Sequence, residues 1–254
     1  MDCISEGSDE ILRSRVEDTV RLCEKRGVPC FLGFLDLREQ AAVQQMFLSA
    51  HGETVTGFYG GYSEAERTFF SASPSYFVAE AADFPIVTIA FKYRTVKNIT
   101  HRDVLGTLMS LGIRRDAVGD ILCGEGLAVV FVRAEVARFV CEQVDRIGGE
   151  GVSVIKDYSG ELPISVAYTE LRDTIASPRL DSVVKVLTRC SREQASELIA
   201  RGAVSLNHRL VDSASKAVSV GDVVSIRGYG RYLIDQIGPE TKKGRLVLCA
   251  RRRL

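Results

Sequence analysis

Apolar positions in this chain change their spacing several times, and each change predicts an element. Leu12, Val16, Val20 and Cys23 fall on one stripe of a helix, with Ser8 expected as its cap and Gly27 as its stop. Asp36 and Glu39 have the spacing of a capping box before a second helix through Ala41, Met46 and Phe47. Thr54 to Tyr59 reads as a strand running into Gly60-Gly61. Residues 1–74 are therefore expected to form a mainly helical N-terminal domain. Pro74 and Pro85 punctuate the way out.

From Ile86 the order becomes legible. Ile86–Tyr93 is β-branched and aromatic, hence a strand. Thr100 caps a helix carrying Val104, Leu105, Leu108 and Leu111, stopped at Gly112. Asp120–Cys123 and Leu127–Val132 flank Gly124-Glu125-Gly126, as in a hairpin. A helix is expected over Glu135–Ile147, with Val136, Phe139, Val140 and Val144 inward and Gly148-Gly149 ending it. Val152–Ile155 closes the set. The order βαββαβ is the ferredoxin-like arrangement, shared with RNA-recognition motifs. With the connector Asp157–Pro178 it defines a middle domain over 75–177. RNA-recognition motifs stack bases on several exposed aromatics of the central strands. The strand Gly126–Arg133 offers only Phe131, so a structural or protein-docking role is the better expectation for this domain.

Leu180, Val183, Val184 and Leu187 then stand at i, i+3, i+4, i+7. Ser191 and Gln194 form a capping box for a further helix with Ala195, Leu198 and Ile199 inward, ended at Gly202. The period changes to two at Val204 and Leu206. Val218–Val220 and Val223–Ile226 suggest a hairpin about Gly221-Asp222, and Leu246–Ala250 a closing strand. Residues 178–254 thus form a third, α/β domain, and the fold class is α+β.

Composition narrows the class of protein. The chain has 254 residues, 46% of them hydrophobic, as in globular proteins. No apolar run reaches the ~20 residues that span a bilayer. Met1–Glu10 is acidic and polar, unlike a secretory signal, so a cytoplasmic location is expected. Seven scattered cysteines include no Cys-x-x-Cys pair. They read as small, mostly buried residues of a reducing compartment, with neither metal nor cofactor expected.

Net charge is zero, but unevenly distributed. From Arg179 onward there are 15 Lys and Arg against 7 Asp and Glu; the remainder has 18 against 26. A basic C-terminal third is the footprint of a polyanion-binding surface. The helix start after Ser191 presents backbone N–H groups and a partial positive charge, with Arg192 in its first turn: a phosphate-binding corner. Lys185 and Arg189 are expected on one face of the preceding helix at i, i+4, beside Asp181. Lys242-Lys243-Gly244-Arg245 reads as a basic loop tip, and Arg251–Arg253 as a frayed basic tail.

These residues carry a resemblance. Arg179-Leu-Asp181, Ser191-Arg-Glu-Gln-Ala with its Arg192 eleven residues after Asp181, Leu198-Ile199, Gly202-Ala-Val204, Leu206-Asn207, Val220-Gly-Asp-Val-Val-Ser-Ile226 and Thr241-Lys-Lys-Gly-Arg245 resemble, in order and spacing, the small RNA-binding domain named after ribosomal protein S-four. The resemblance implies RNA contacts at Arg179, Lys185, Arg189, Ser191, Arg192, Gln194, Arg201, Asn207, Arg209, Lys242, Lys243 and Arg245. One departure is His208 after Asn207, where such domains usually have glycine in a turn of positive φ.

Upstream, Phe34–Gln40, Gly60-Gly-Tyr-Ser-Glu-Ala-Glu-Arg67, His101-Arg-Asp-Val-Leu-Gly106, Leu111-Gly-Ile-Arg114 and Gly119-Asp-Ile121 are similar to the bacterial YlmH family, with Leu37 where that family usually has proline. The resemblance implies a ribosome-associated RNA-binding protein that recognises structured ribosomal RNA or tRNA. Rescue of stalled large subunits is the process it points to. An RNA-modifying enzyme is the alternative, because S-four domains also accompany pseudouridine synthases and methyltransferases. Arg179-Leu-Asp181 resembles the catalytic triplet of the former. Only 73 residues follow Asp181, too few for a catalytic domain, and no glycine-rich nucleotide loop follows a strand. His101, Arg102 and Asp103 invite a catalytic reading, but they also occupy the expected first turn of a helix, where Asp favours the dipole. No catalytic residue is expected.

Overall fold

The computed structural model describes residues 3–47, 54–94, 98–164 and 168–253. The chain divides into two compact units, Met1–Ser165 and Val166–Leu254.

In the first unit, α1 (Cys3–Arg26) and α2 (Leu37–Phe47) flank β1 (Cys30–Leu35), followed by β2 (Thr54–Tyr59) and β3 (Thr68–Pro74). Ser8 lies inside α1 rather than at its start. Gly27 ends it with φ +65°. The box at α2 forms as expected: Glu39 N–H donates to Asp36 Oδ1 at 2.8 Å, and Asp36 N–H to Glu39 Oε2 at 2.7 Å. β1 and β3, not expected from the apolar pattern, join β2 in an antiparallel sheet of order β1-β3-β2. Both are nearly continuous buried runs without the alternation that marks a half-exposed strand.

β4 (Ile86–Lys92), α3 (His101–Ser110), β5 (Val118–Gly124), β6 (Leu127–Arg133), α4 (Ala134–Gln143) and β9 (Ser153–Lys156) follow in the expected βαββαβ order. Their antiparallel sheet runs β5-β6-β4-β9. Between α4 and β9, β7 (Arg146–Ile147) and β8 (Glu150–Gly151) make a small hairpin about Gly148 and Gly149, both at positive φ. Those glycines therefore turn a hairpin and do not stop α4, which ends at Gln143. Phe139, expected inside, is 43% exposed.

The four-stranded sheet has two apolar faces. One packs against α3 and α4 through Ile89, Phe91, Val130 and Val132. The other packs Ala90, Val129 and Phe131 against Phe34 and Phe69 of the N-terminal sheet. That N-terminal sheet meets α1 and α2 through Leu12, Val16, Val43 and Phe70. The first unit is thus layered helix–sheet–sheet–helix, with one aromatic seam joining its two halves.

The second unit begins with β10 (Tyr168–Ile175), in the stretch read above as connector. After it come α5 (Leu180–Thr188), α6 (Arg192–Ala200), β11 (Val204–Leu206), β12 (Arg209–Leu210), β13 (Val223–Ile226), β14 (Gly230–Glu240) and β15 (Leu246–Arg253). One antiparallel sheet runs β10-β15-β14-β13-β11-β12. Leu180, Val183, Val184, Leu187, Ala195, Leu198 and Ile199 are all buried, as their periodicity predicted, against Val204, Leu206, Val224 and Ile226. Two expectations fail. Val218–Val220 forms no strand, because β13 pairs with β11 and β14 instead. Arg251–Arg253 is no frayed tail: these residues pair with Tyr168–Glu170, and Arg251 forks onto Asp235 with contacts of 2.8 to 3.0 Å.

Candidate nucleic-acid interface

The basic residues of the second unit stand on two helices whose apolar sides are sunk in the core. Because Leu180, Val183, Val184 and Leu187 turn inward, Lys185 is left on the exposed side of α5. Arg189 does not continue that helix. It caps α5 in the left-handed conformation, φ 56°, with its N–H on the carbonyls of Lys185 and Val186. The expected helical pairing of Lys185 with Arg189 is therefore not made, although both are exposed.

At the start of α6 the predicted cap is present. Ser191 Oγ accepts from Gln194 N–H at 3.1 Å, and Gln194 Oε1 accepts from Ser191 N–H at 2.9 Å. These two members of the predicted set shape the helix start.

Arg192 is differently placed from the expectation. Its Nε and Nη2 donate to Asp181 Oδ2 at 2.9 and 2.8 Å. Arg179, preceding α5 in extended conformation, donates to the same carboxylate from Nε at 3.2 Å and Nη2 at 3.3 Å. Asp181 lies buried beneath both, not on a solvated face. Burial alone would raise its pKa, but the hydrogen bonds from Arg179 and Arg192 outweigh that and hold it below the usual carboxylate value. Arg179-Leu-Asp and the spacing of eleven to Arg192 were visible in the sequence; that they describe one ion-pair network was not.

The remaining predicted residues divide by role. Asn207 and His208 sit at φ 49° and 66°, a type I′ geometry, between β11 and β12. The Asn207 amide donates to Asp222 Oδ1 at 2.8 Å and accepts from Val223 N–H at 2.9 Å. His208 thus tolerates the position usually given to glycine, in a turn pinned by its neighbour. Arg201 and Arg209 are exposed. Lys242 and Lys243 lie exposed on the β14–β15 turn, and Arg245 Nη2 donates to the Thr174 carbonyl at 2.6 Å. Missed by the sequence reading were Arg227 and Arg231, which line a groove of about 400 Å³ with Ser205, Leu210 and Ser225. Their position on either side of a Gly-rich turn, Gly228-Tyr229-Gly230, was the available signal.

In the first unit, Phe131 is fully buried and stacks on Tyr62 with centroids 5.2 Å apart. Gly61 permits this approach, since a Cβ there would lie 2.2 Å from the Phe131 ring. The face on which an RNA-recognition motif would stack bases is filled by the N-terminal segment. The motif residues of that segment are architectural. Asp120 accepts from Tyr62 Oη at 2.8 Å, Glu66 N–H at 2.7 Å and Arg67 N–H at 3.0 Å. Arg67 in turn donates to the carbonyls of Val118 and Phe34. Asp103 closes a capping box with Thr100. His101 and Arg102 stand at the surface beside it, and partial desolvation of the His101 ring, then the nearby Arg115, lower its pKa.

Among the described residues, no group of three or more His, Cys, Asp or Glu is placed to hold a metal. Among them, too, no helix is long and apolar enough to cross a membrane. Cys23, Cys30, Cys123, Cys141, Cys190 and Cys249 are free thiols, the first two buried and the other four half-buried.

Comparison with known proteins gives a family match in each unit. Residues 178–224 match the S4 domain, and residues 79–159 match the family described as "Putative RNA-binding domain in YlmH". The two-helix corner on its antiparallel sheet, with cations outward and an S4 match, defines an RNA-binding protein of the S-four class. The chain is 35% identical over 212 residues, 83% of its length and 82% of the relative's, to "Ribosome-associated protein quality control protein P2" of Bacillus subtilis (strain 168). It also shares its fold with the structure of "Cell division protein ylmH from Streptococcus pneumoniae", at TM-score 0.52 and 18% identity, over 59% of this chain and 90% of that one. This chain belongs to the YlmH family.

Proposed function

We propose that this protein binds structured RNA of the large ribosomal subunit, ribosomal RNA or tRNA, through its C-terminal unit, as a non-enzymatic cytoplasmic factor in ribosome-associated quality control. The observation that carries the reading is the cationic surface of α5 and α6: Arg192 in the first turn of α6 shares Asp181 with Arg179, and Lys185 and Arg189 are exposed on α5 and at its end, in a unit matching the S4 domain. The process is supported by the printed name of the Bacillus subtilis relative. In the first unit the RNA-recognition-like sheet face is filled, which favours protein docking over base stacking on that sheet as its part.

Crosslinking in cells followed by sequencing of the bound RNA tests the target, with ribosomal RNA or tRNA expected. In binding assays with large subunits carrying peptidyl-tRNA, the full chain should bind, and residues 1–165 should lose most of the affinity. Full affinity in that fragment would overturn the assignment. Mass spectrometry of the bound RNA before and after incubation should show no change in base mass; a modified base would favour the enzyme alternative.

A further inference from the structure

Arg179, Asp181 and Arg192 form an arrangement that neither stability nor simple charge attraction explains well. The Asp181 side chain is 4% exposed, while those of Arg179 and Arg192 are 42% and 60% exposed. The surface therefore presents two cations, with the neutralising anion sunk beneath them. As a stabilising device this is poor, because a buried charge pair gains little over apolar packing of similar volume. As a device for attracting RNA it is also poor, because the carboxylate cancels one of the two positive charges.

It is well suited to orientation. Each guanidinium turns its Nε and Nη2 edge to Asp181, with contacts of 3.2 and 3.3 Å from Arg179 and 2.9 and 2.8 Å from Arg192. Each then keeps Nη1 for an outside acceptor. The Nη2 atoms of both arginines converge on the single Oδ2 atom. Arginine side chains carry much rotamer freedom, and a phosphate that binds them must otherwise order them itself. Here that ordering is made within the folded protein. The partial positive charge at the start of α6 adds to the same corner.

We infer that Arg179 and Arg192 are two halves of one phosphodiester clamp, and that Asp181 is its positioning residue, setting the geometry without touching RNA. The inference rests on the proposed function, since it assumes that the C-terminal unit binds RNA.

Asp181→Asn in the full chain separates positioning from charge. The substitution adds one positive charge to the site while loosening the clamp. Electrostatics alone predicts tighter RNA binding; the clamp predicts affinity about tenfold weaker, the scale of one lost charge-assisted contact. Binding is measured on large-subunit RNA well below each variant's melting temperature. Asp181→Glu, which keeps the charge and shifts the carboxylate by one methylene, is the second variant and should also weaken binding. In an Arg192→Ala background, Asp181→Asn should weaken binding less than it does in the wild-type chain, since only Arg179 is left for Asp181 to position, whereas a merely structural role would give the same loss in both backgrounds. If wild type binds through residues 166–254 and Asp181→Asn binds as tightly or more tightly, the clamp is overturned and the proposed function stands. Should Asp181→Asn fail to fold, wild-type affinity in Asp181→Glu has the same force. If the wild-type chain does not bind RNA, or binds equally without residues 166–254, the proposed function itself falls.

Discussion

Replacing Arg192 with Ala removes two hydrogen bonds from Asp181, those of Nε at 2.9 Å and Nη2 at 2.8 Å. Read as an exposed residue in the first turn of a helix, Arg192 should be dispensable for folding, within about 0.5 kcal/mol. The structure gives a larger figure. Leaving a buried charge without its partner costs about 3–5 kcal/mol. Two features reduce this: Arg179 and the Ser182 N–H, at 2.8 Å, still satisfy Asp181, and the Arg192 side chain is 60% exposed, so water reaches the gap. The expected loss is therefore about 1–2 kcal/mol, between the buried-pair value and the ~0–1 kcal/mol of a surface pair. For a unit of this size each kcal/mol lowers Tm by roughly 4–8 °C. Denaturant unfolding of wild type, Arg192→Ala and Arg192→Lys measures it. RNA titration well below the melt gives the second quantity, an affinity loss of about 1–3 kcal/mol for Ala, partly recovered by Lys. A stability change below 0.5 kcal/mol for Arg192→Ala would show that Asp181 does not hold this arginine in solution. Unchanged affinity would move the RNA contact elsewhere, with Lys242, Lys243 and Arg245 the next residues to replace.

Three further outcomes are expected. Gly61→Ala should destabilise the first unit by more than about 2 kcal/mol, since it adds a clash with Phe131 to a strained φ of 103°; a thermal melt within 1 °C of wild type would contradict the aromatic seam. RNA affinity should fall with salt at a log–log slope of about −3.5 to −4.5 if roughly five phosphates are neutralised, and a flat dependence would exclude phosphate-dominated binding. Asp181 has a lower pKa folded than unfolded, so its stabilisation is complete above the ordinary carboxylate range and is lost as pH falls below about 4. The stability advantage of wild type over Asp181→Asn, measured by denaturant unfolding, should accordingly shrink as pH falls through this range, and a difference independent of pH would contradict it.

Legibility in the sequence followed from how each element meets water. Amphipathic elements have one wet face and so a period: the buried faces of α1, α5 and α6 were all readable, as were the caps at Asp36, Thr100 and Ser191, which depend on local spacing. β1 and β3 were invisible because both their faces are covered, and a doubly buried strand has no alternation to read. α4 was overextended because Gly148-Gly149 looks the same as a helix stop or a hairpin turn. At the interface, residue types and helix starts were legible, whereas partners were not. Asp181 sits eleven residues from Arg192, and only the packing of α5 on α6 brings them together. Phe131 shows the reverse case: the strand showed only that it carries a single aromatic, and the fold shows that this ring is buried against Tyr62.

Strand β10 has a consequence for anyone who cuts this protein. The stretch that matches the S4 domain ends at residue 224 and begins at 178. Six buried core residues of the same unit, Ile175, Ile226, Tyr232, Ile234, Leu248 and Ala250, lie outside it. A fragment started at Arg179 would keep every predicted RNA-contacting residue yet strip β15 of its outer neighbour, baring the backbone of Leu246–Arg253 along eight paired positions. An uncovered edge of that length is a template for intermolecular pairing. Such a fragment should self-associate in a concentration-dependent way, and its weak or erratic RNA titrations would then report aggregation, not a missing contact. Fragments begun at Val166 retain the covering strand.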